Sequence, residues 1–357
     1  MKIFNKIILP AIAFLLILSI ASTIIIATLV NSEWEHCFDL KNRDKLAGSV
    51  ELLICGASQG MNHYNTYTID EQLGTCYNLS GPAMTWSAKT VVLEEELSRN
   101  NVRYVIIDIS HNSLMQDPSV SGEYYGLPRV SKGSRIEYFF KQIDFSLWYE
   151  LYGKLMNEGT RCLASKLLGE NSFLGTTSIN NCNYSDKGFR YNKSCADITL
   201  TETEIVDNYK IKQTKIDFPE GNIKNLQKMI ELCKHYGAQP IIVQSFASDR
   251  LNWEYDGLEK LHNYLETFSV ENNCFFIDGN LLKTRYSDFS DEFSFSDDQH
   301  LSGEGATMFS EKICEIIHLI EDNKEISELF YPSYSEMKAD SPYMSYYLTH
   351  IKNTDEK

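Results

Sequence analysis

The chain has 357 residues, of which 43% are hydrophobic and 12% aromatic. This composition fits a protein with a packed core and excludes a largely disordered chain. The 33 basic and 49 acidic side chains give a formal net charge of −16, which argues against nucleic acid or an anionic lipid surface as the main partner.

The first predicted element is a membrane anchor at the N-terminus. Residues 7–30 form an uncharged, mostly apolar run of 24 residues, which as a helix would rise about 36 Å and cross the ~30 Å hydrocarbon core of a bilayer. Lys2 and Lys6 precede the run and acidic residues follow it, which favours a cytoplasmic N-terminus and an extracytoplasmic main domain. A cleaved signal peptide is the alternative, but its apolar core is usually only ~7–15 residues long. We therefore expect residues 1–32 to be a cytoplasmic stub and a single-pass anchor in the cell membrane.

Outside the cytoplasm, disulfide bonds are allowed, and the chain has nine cysteines. An odd number leaves at least one thiol free or paired with another chain. Cys182 and Cys195 flank a polar stretch and are the best candidates for a bridge. Cys55 and Cys233 are expected as small core residues of a strand and a helix. The absence of any Cys-x-x-Cys pair argues against a cysteine zinc site.

Strands and helices alternate along residues 48–322, which we predict to be one domain. The predicted strands are 50–58, 76–81, 102–110, 238–247 and 274–280, and the predicted helices are 83–100, 222–237, 257–272 and 303–322. This alternation predicts an α/β fold, a parallel five-stranded sheet inside a three-layer α/β/α sandwich. Ligands of such folds bind at the carboxyl ends of the strands. Gly237 suits the end of one helix, and Ser302 suits the start of another.

Two segments depart from this alternation. Residues 113–220 form a long insertion that is first rich in aromatic residues and then polar. Such an insertion either caps the binding site or forms an extra helical subdomain without ligand contact. Residues 323–357 show no clear period and are predicted to be a peripheral tail.

Ser58 directly follows the first predicted strand, where a hydroxyl can be exposed at the edge of the sheet. Gly56 lets the chain bend closely, and the backbone N–H groups of the following turn can face a developing oxyanion. A serine in this position more often caps a helix or satisfies a turn. Ser58 on its own therefore does not establish a nucleophile.

Asp297 and His300 lie between the last predicted strand and the last predicted helix. An Asp-x-x-His spacing on a turn lets the carboxylate accept from one ring nitrogen and leaves the other nitrogen to take a serine proton. The alternative is a surface pair at the start of the helix. Together with Asp298 the pair also raises the hypothesis of a metal-dependent hydrolase, but no second histidine group has ligand spacing.

A nucleophile after the first strand, with Asp-x-x-His before the last helix, resembles the SGNH (GDSL-like) hydrolase superfamily. The resemblance covers residues 50–112 and 222–321. It is greatest to membrane-anchored bacterial branches, such as the D-alanyl-transfer protein of teichoic acid synthesis and polysaccharide O-acetyltransferases and esterases. The resemblance implies a flavodoxin-like fold without a cofactor, in which Ser58 is the nucleophile, His300 the base and Asp297 its orienter.

The resemblance also implies an oxyanion hole, made by the backbone N–H groups of Ser58 and Gly81. Gly81, in "YNLSGPA", is equally compatible with an ordinary turn. The family's Gly-Asp-Ser reads Gly-Ala-Ser here, and its Gly-x-Asn-Asp block is absent. "ISHNS" occupies that place, where Asn112 is either a side-chain oxyanion donor or a turn residue. We interpret the neighbouring His111 as a structural or rim residue.

These observations predict a membrane-anchored, extracytoplasmic serine esterase or O-acyltransferase. Its expected substrate is an envelope or exported glycan, such as a teichoic-acid-like polymer, and a membrane acyltransferase is a second partner to consider. The aromatic insertion would offer sugar-stacking surfaces. The alternative is a catalytically silent SGNH-fold module that binds glycan or such a partner. The missing block favours this alternative, whereas the presence of Ser58, Asp297 and His300 argues against it.

Overall fold

The computed structural model describes residue 6 and residues 8–29, 40–131, 133–168, 182–209 and 216–350. Over these residues the protein is α/β, with a five-stranded sheet, a two-stranded antiparallel ribbon and many helices. The strands, in chain order, are β1 (Leu52–Cys55), β2 (Cys76–Asn78), β3 (Tyr104–Ile109), β4 (Cys182–Tyr184), β5 (Arg190–Asn192), β6 (Gln239–Gln244) and β7 (Phe275–Asp278).

The α-helices of the described residues follow the same chain order. They are α1 (Leu9–Leu29), α2 (Leu40–Lys45), α3 (Ser58–His63), α4 (Thr66–Leu73), α5 (Trp86–Leu97), α6 (Val120–Gly126), α7 (Arg135–Lys141), α8 (Phe145–Leu168), α9 (Glu202–Tyr209), α10 (Glu220–His235), α11 (Asp249–Glu254), α12 (Gly257–Glu271), α13 (Arg285–Asp288), α14 (Gly303–Glu321), α15 (Tyr334–Ala339) and α16 (Pro342–His350). The four helices predicted from the sequence correspond to α5, α10, α12 and α14.

The large sheet has the strand order β2-β1-β3-β6-β7, and every neighbouring pair is parallel. In the middle of the sheet, Ile54 lies opposite Asn78 on one side and Ile106 on the other. The chain leaves β1 towards one edge for β2 and then crosses to the other side for β3. The order therefore reverses between β1 and β3, the kind of point at which α/β proteins bind ligands. All five predicted strands are confirmed, although each is shorter than its apolar run.

Side chains of the strands alternate between two buried clusters, one on each face of the sheet. From β1, Leu53 and Cys55 pack with residues of α5, α10 and α12. Leu52 and Ile54 point the other way and pack with residues of α4 and α14. Because helices cover both faces, the strands are apolar at nearly every position. This arrangement is compatible with a three-layer sandwich.

Two local predictions at helix ends are confirmed. Gly237 follows α10 with a φ of +78°, a left-handed conformation that glycine adopts without steric cost. The Oγ of Ser302 accepts a hydrogen bond of 3.1 Å from the N–H of Gly305 and so caps α14. Gly237 thus marks the end of α10, just before β6, and Ser302 marks the start of α14.

The N-terminal helix α1 runs from Leu9 to Leu29. Among the described residues, no helix combines the length and the apolar character needed to cross a membrane. The predicted transmembrane helix is therefore not confirmed. Both ends of the predicted run, residues 7 and 30, lie outside the described residues.

The insertion contains α6–α9 and the β4–β5 ribbon, and it contributes to the site only in part. Residues 117–119 line the cavity beside Ser58. Tyr191 of β5 lies so close to Gly303 that a Cβ there would be 2.3 Å from the tyrosine ring. The aromatic side chains of Phe145 and Tyr149 are instead exposed, at 78% and 93%. These two rings are not part of the wall of the cavity beside Ser58.

One of the predictions about the cysteines is wrong. Cys195 is a free, exposed thiol, so the predicted bridge to Cys182 is not formed. The register explains this, because Cys182 lies opposite Asn192 in the ribbon and Cys195 lies beyond its end. Cys55 and Cys233, in contrast, are buried in the core as expected.

The C-terminal segment was expected to be a peripheral tail, but residues 334–350 form α15 and α16. The hydroxyl of Tyr334 donates to Asp278 at 2.9 Å, and that of Tyr343 donates to Asp291 at 2.8 Å. Both tyrosines are buried. These hydrogen bonds to buried carboxylates hold the segment to the domain, together with the apolar packing of Tyr334 and Met337.

Candidate active site

Ser58 is the first residue of α3, and two residues, Gly56 and Ala57, separate it from the end of β1. The turn is tight because Gly56 lies against β3, where a Cβ would come within 2.9 Å of the Asp108 Cβ. As the first helical residue, Ser58 has a backbone N–H with no acceptor inside the helix. Its side chain is half-buried at the carboxyl edge of the sheet.

His300 and Asp297 lie in the loop that leads into α14. The Nδ1 of His300 is 2.9 Å from each carboxylate oxygen of Asp297. Oδ1 of Asp297 also accepts the backbone N–H groups of Gln299 and His300, both at 2.9 Å. The carboxylate therefore holds the ring and the turn that carries it.

The three predicted catalytic side chains form one hydrogen-bonded chain. Nε2 of His300 is 2.9 Å from Oγ of Ser58. Since a carboxylate only accepts, Nδ1 carries the hydrogen and the Nε2 lone pair is left for the serine hydroxyl. Partial burial acts to raise the pKa of Asp297, but its hydrogen bond to His300 and the imidazole charge outweigh this, and the pKa lies below its ordinary value. An ionised Asp297 is suited to stabilise an imidazolium.

A cavity of about 160 Å³ opens beside Ser58. It lies at the reversal point of the strand order, since Ser58 follows β1 and Asn112 follows β3. Its wall includes Ser58, Met84, Trp86, His111, Asn112 and Gln299. Asn112 therefore shares the wall of this cavity with Ser58.

Gly81 is placed differently from Asn112. Its N–H donates to the carbonyl of Gly56 at 3.4 Å. The guanidinium of Arg129 covers it, so that a Cβ on Gly81 would be 2.0 Å from the arginine Cζ. Arg129 in turn donates to the carbonyl of Ser80 at 3.3 Å. The roles of Gly81 and Asn112 as oxyanion donors stay predictions.

Ala83, two residues after Gly81, is a feature of the site that the sequence reading missed. It has a φ of +47° and lines the cavity. A non-glycine residue in this conformation is uncommon and is concentrated at functional sites. The preceding Gly-Pro pair signals a turn but does not give its geometry.

His111 forms part of the cavity wall, with 6% of its surface exposed. Its ring meets Tyr255 edge-on at 5.7 Å. Within the described residues, its Nδ1 is buried and has no hydrogen-bond partner. Burial, and then repulsion from His300, lowers the pKa of His111 to about 4, so the ring is neutral near pH 7. His111 thus presents an unsatisfied polar ring inside the cavity.

Asp108 of β3 is buried beside the turn that leads to Ser58, where a Cβ on Gly56 would be 2.9 Å from its own Cβ. Its carboxylate accepts from the hydroxyls of Tyr64 at 2.9 Å and Ser245 at 2.7 Å. Burial raises the pKa of Asp108 to about 6, although these hydrogen bonds act to lower it. The Asp108 carboxylate thus links β3 to the residues that directly follow α3 and β6.

A larger cavity, of about 550 Å³, lies apart from these residues. It is lined mainly by aromatic side chains of α7 and α8, such as Phe139, Phe140 and Trp148. None of the predicted catalytic side chains belongs to its wall. The hydrogen-bonded chain of Ser58, His300 and Asp297 lies instead at the smaller cavity, whose wall includes Ser58.

Across the described part of the chain, no group of three or more histidine, cysteine or acidic side chains is arranged to hold a metal ion. The chain matches no family model, and no curated protein matches it. Assignment to a family and a function therefore depends on the residues and their geometry.

Proposed function

We propose that this protein is an extracytoplasmic serine esterase or O-acyltransferase of the SGNH type, acting on a cell-envelope or exported glycan. The observation that carries the proposal is the hydrogen-bonded chain from Asp297 through His300 to Ser58, with 2.9 Å at each step. The strand order and the two helix-covered faces also support the flavodoxin-like, three-layer fold of that superfamily.

The first half of the reaction forms an acyl-enzyme. Oγ of Ser58 attacks the carbonyl carbon of an ester as Nε2 of His300 takes the hydroxyl proton. Asp297 stabilises the imidazolium that results. When the tetrahedral intermediate collapses, His300 returns the proton to the leaving alcohol, and the acyl group stays on Ser58.

The oxyanion of this intermediate needs hydrogen-bond donors. The backbone N–H at the start of α3 is one, and the side chain of Asn112 in the cavity wall is a second. Gly81 contributes only after its N–H has left the carbonyl of Gly56. One such donor is typically worth ~3–4 kcal/mol of transition-state stabilisation.

The second half of the reaction transfers the acyl group to water or to a sugar hydroxyl. His300 takes the proton of the incoming hydroxyl, and the acyl group leaves Ser58. The outcome is hydrolysis with water and transfer with a sugar. The cavity of about 160 Å³ is smaller than the ~300–1,000 Å³ of sites for drug-sized ligands. Its size favours a short acyl group.

The membrane location is part of the proposal and depends on the sequence. The uncharged run of residues 7–30, with lysines on its leading side, supports an N-terminal anchor and an extracytoplasmic domain. An anchor would keep the domain beside envelope polymers and beside a membrane acyltransferase that supplies or accepts the acyl group.

A fluorophosphonate probe tests the proposal on the full-length chain in detergent. We expect covalent labelling of the wild-type protein, loss of labelling in Ser58→Ala, and strong reduction in His300→Ala. Each variant must retain the wild-type far-UV circular dichroism spectrum. A folded wild-type chain that neither reacts with the probe nor cleaves an acetyl ester would instead support the catalytically silent glycan-binding module, which the engaged N–H of Gly81 favours.

A further inference from the structure

The loop that carries His300 is held by its backbone carbonyl groups. The carbonyl of Asp298 accepts from Oγ of Ser248 at 2.9 Å. The carbonyl of His300 accepts from the N–H of Ser296 at 2.8 Å. Between them, the carbonyl of Gln299 accepts two hydrogen bonds from side chains. The two donors to the Gln299 carbonyl come from α3, the helix that begins with Ser58.

Both donors to Gln299 belong to α3. Nε2 of Gln59, the residue after Ser58, lies 3.1 Å from the Gln299 oxygen. Nε2 of His63, at the other end of α3, lies 3.1 Å from the same oxygen. A carbonyl oxygen has two lone pairs, so the two donors satisfy it fully. The helix of the nucleophile is thereby tied to the residue that precedes the base.

The state of His63 is fixed by this contact. Because a carbonyl only accepts, Nε2 of His63 must carry the hydrogen. Burial, and then repulsion from His300, lowers the pKa of His63 to about 3, so the ring stays neutral over the physiological range. Phe309 meets the ring edge-on at 6.2 Å. His63 is thus a neutral donor with one orientation.

The burial of Gln59 and His63 lowers the stability of the fold, because each side chain also has a polar atom that the contact with Gln299 does not satisfy. Gln59 is 2% exposed and His63 is fully buried. Within the described residues, Oε1 of Gln59 and Nδ1 of His63 are buried without a hydrogen-bond partner. A buried polar atom without a partner costs ~1–3 kcal/mol, so apolar side chains here would favour stability. Exceptions of this kind are expected where function requires them.

We propose that Gln59 and His63 are positioning residues for the reaction of Ser58, which tie the His300 loop to α3 through the Gln299 carbonyl. The inference rests on the proposed function, since it assigns these side chains to the same Ser58–His300 pair. Their effect is on geometry, because each side chain donates to the Gln299 carbonyl and not to Oγ of Ser58 or Nε2 of His300. A misplacement of about 1 Å between reacting groups can cost about 100-fold in rate.

The test uses Gln59→Met, His63→Leu and the double variant in the full-length chain. Each single variant leaves one donor on the carbonyl, so we expect kcat for an acetyl ester to fall about 10-fold, and about 100-fold in the double variant. KM changes little. The unfolding temperature of each single variant stays equal or rises, because a buried unpaired atom is removed. The double variant is less stable, because it takes both side-chain donors from the Gln299 carbonyl. His63→Gln keeps an amide donor of similar reach and restores most of kcat.

Two controls separate positioning from a general effect on the fold. Gln244→Met removes a buried amide that donates to a different carbonyl, that of Leu258, at 3.0 Å. This variant keeps kcat while stability changes. In a His300→Ala background, Gln59→Met causes no further loss of probe labelling, because no base remains to be positioned.

The inference is overturned if folded Gln59→Met and His63→Leu chains keep the wild-type kcat, or if the loss is the same in the His300→Ala background. Failure of the proposed function is distinguishable from this result. In that case the wild-type chain itself shows no labelling and no turnover, whereas a failed inference leaves the wild-type reaction intact.

Discussion

His300 and Ser58 are 242 residues apart in the sequence, yet Nε2 of the one lies 2.9 Å from Oγ of the other. They meet because β1 and β7 are strands of one parallel sheet. The connections that follow these two strands both begin at the carboxyl edge of the sheet. Ser58 belongs to the connection after β1 and His300 to the connection after β7, so neither residue is part of a strand. Their contact is therefore open to mutation without loss of the sheet.

Asp297→Asn should lower kcat strongly. An amide either accepts from Nδ1 of His300 or turns and donates to it, and the second arrangement leaves Nε2 with the hydrogen and unable to take the proton of Ser58. We expect kcat for an acetyl ester to fall by a factor between about 10² and 10⁴, with KM little changed. Asp288→Asn, at a surface ion pair with Lys312, is the control. An unchanged kcat would show that Asp297 does not orient the base.

Asn112→Ala tests the side-chain oxyanion donor. Asn112 lies in the cavity wall with Ser58, so loss of its amide should raise the barrier of both halves of the reaction. We expect kcat to fall about 10²- to 10³-fold, as for loss of one oxyanion donor, while fluorophosphonate labelling slows but persists. Asn263→Ala, on the exposed face of α12, should leave kcat unchanged. Equal kcat in the two variants would assign the oxyanion to backbone donors alone.

The sheet and the four helices α5, α10, α12 and α14 were predictable from local sequence patterns. Continuous apolar runs predict buried parallel strands. The order of Ser58, Asp297 and His300 along the chain resembles that of SGNH hydrolases, and it is this resemblance that implies that the three side chains meet. Gly237 and Ser302 were predictable because helix ends have strong local preferences. The signals for strands and helix ends lie within a few neighbouring residues, whereas the order of the three side chains spans 242 residues.

The contacts that the sequence did not predict depend on side chains from distant elements. Arg129 covers Gly81, and Tyr334 reaches Asp278, without any spacing rule that relates them. The link from His63 to Gln299 is of the same kind, since a histidine in a short polar helix has no apolar period to signal its burial. Hydrogen bonds to backbone carbonyls leave no trace in the sequence of the accepting residue.

Met84→Ala should broaden the acyl specificity. Met84 is 2% exposed and lines the cavity, so its loss enlarges the space beside Ser58. We expect the ratio of kcat/KM for a hexanoyl ester to that for an acetyl ester to rise at least about 10-fold. Met337→Ala, an equally buried truncation in α15, costs a similar ~2–5 kcal/mol of stability without changing this ratio. If both variants keep the wild-type ratio, Met84 does not limit the acyl group.

His111 should bind a polar group of the substrate. Its Nδ1 is buried and unpaired within the described residues, and a bound hydroxyl or carbonyl would satisfy it. We expect His111→Leu to lower kcat/KM for the glycan ester about 10-fold, mainly through KM. His111→Asn places an amide near the position of Nδ1 and should retain most of the affinity. Equal KM values for the leucine and asparagine variants would show that the ring serves packing against Tyr255.

Asp108 should make the stability of the domain depend on pH. Its pKa is raised from 3.8 to about 6 by burial, so the folded state binds a proton that the unfolded state releases. The stabilisation from this group is fully present below about pH 4 and is lost as the pH rises through about 6. Asparagine does not titrate. The free energy of unfolding of the wild type, relative to Asp108→Asn, should therefore fall by about 3 kcal/mol between pH 4 and pH 8.

Urea unfolding of the full-length chain in detergent, at pH 4 and pH 8, measures this difference, and Ser245→Ala provides the opposing variant. Ser245 donates to Asp108 at 2.7 Å and acts to lower the pKa of the carboxyl. Its removal should raise that pKa further and increase the loss of stability with pH, whereas Asp108→Asn should decrease it. A wild type and an Asp108→Asn variant that keep the same difference at both pH values would show that the Asp108 carboxyl does not titrate in this range.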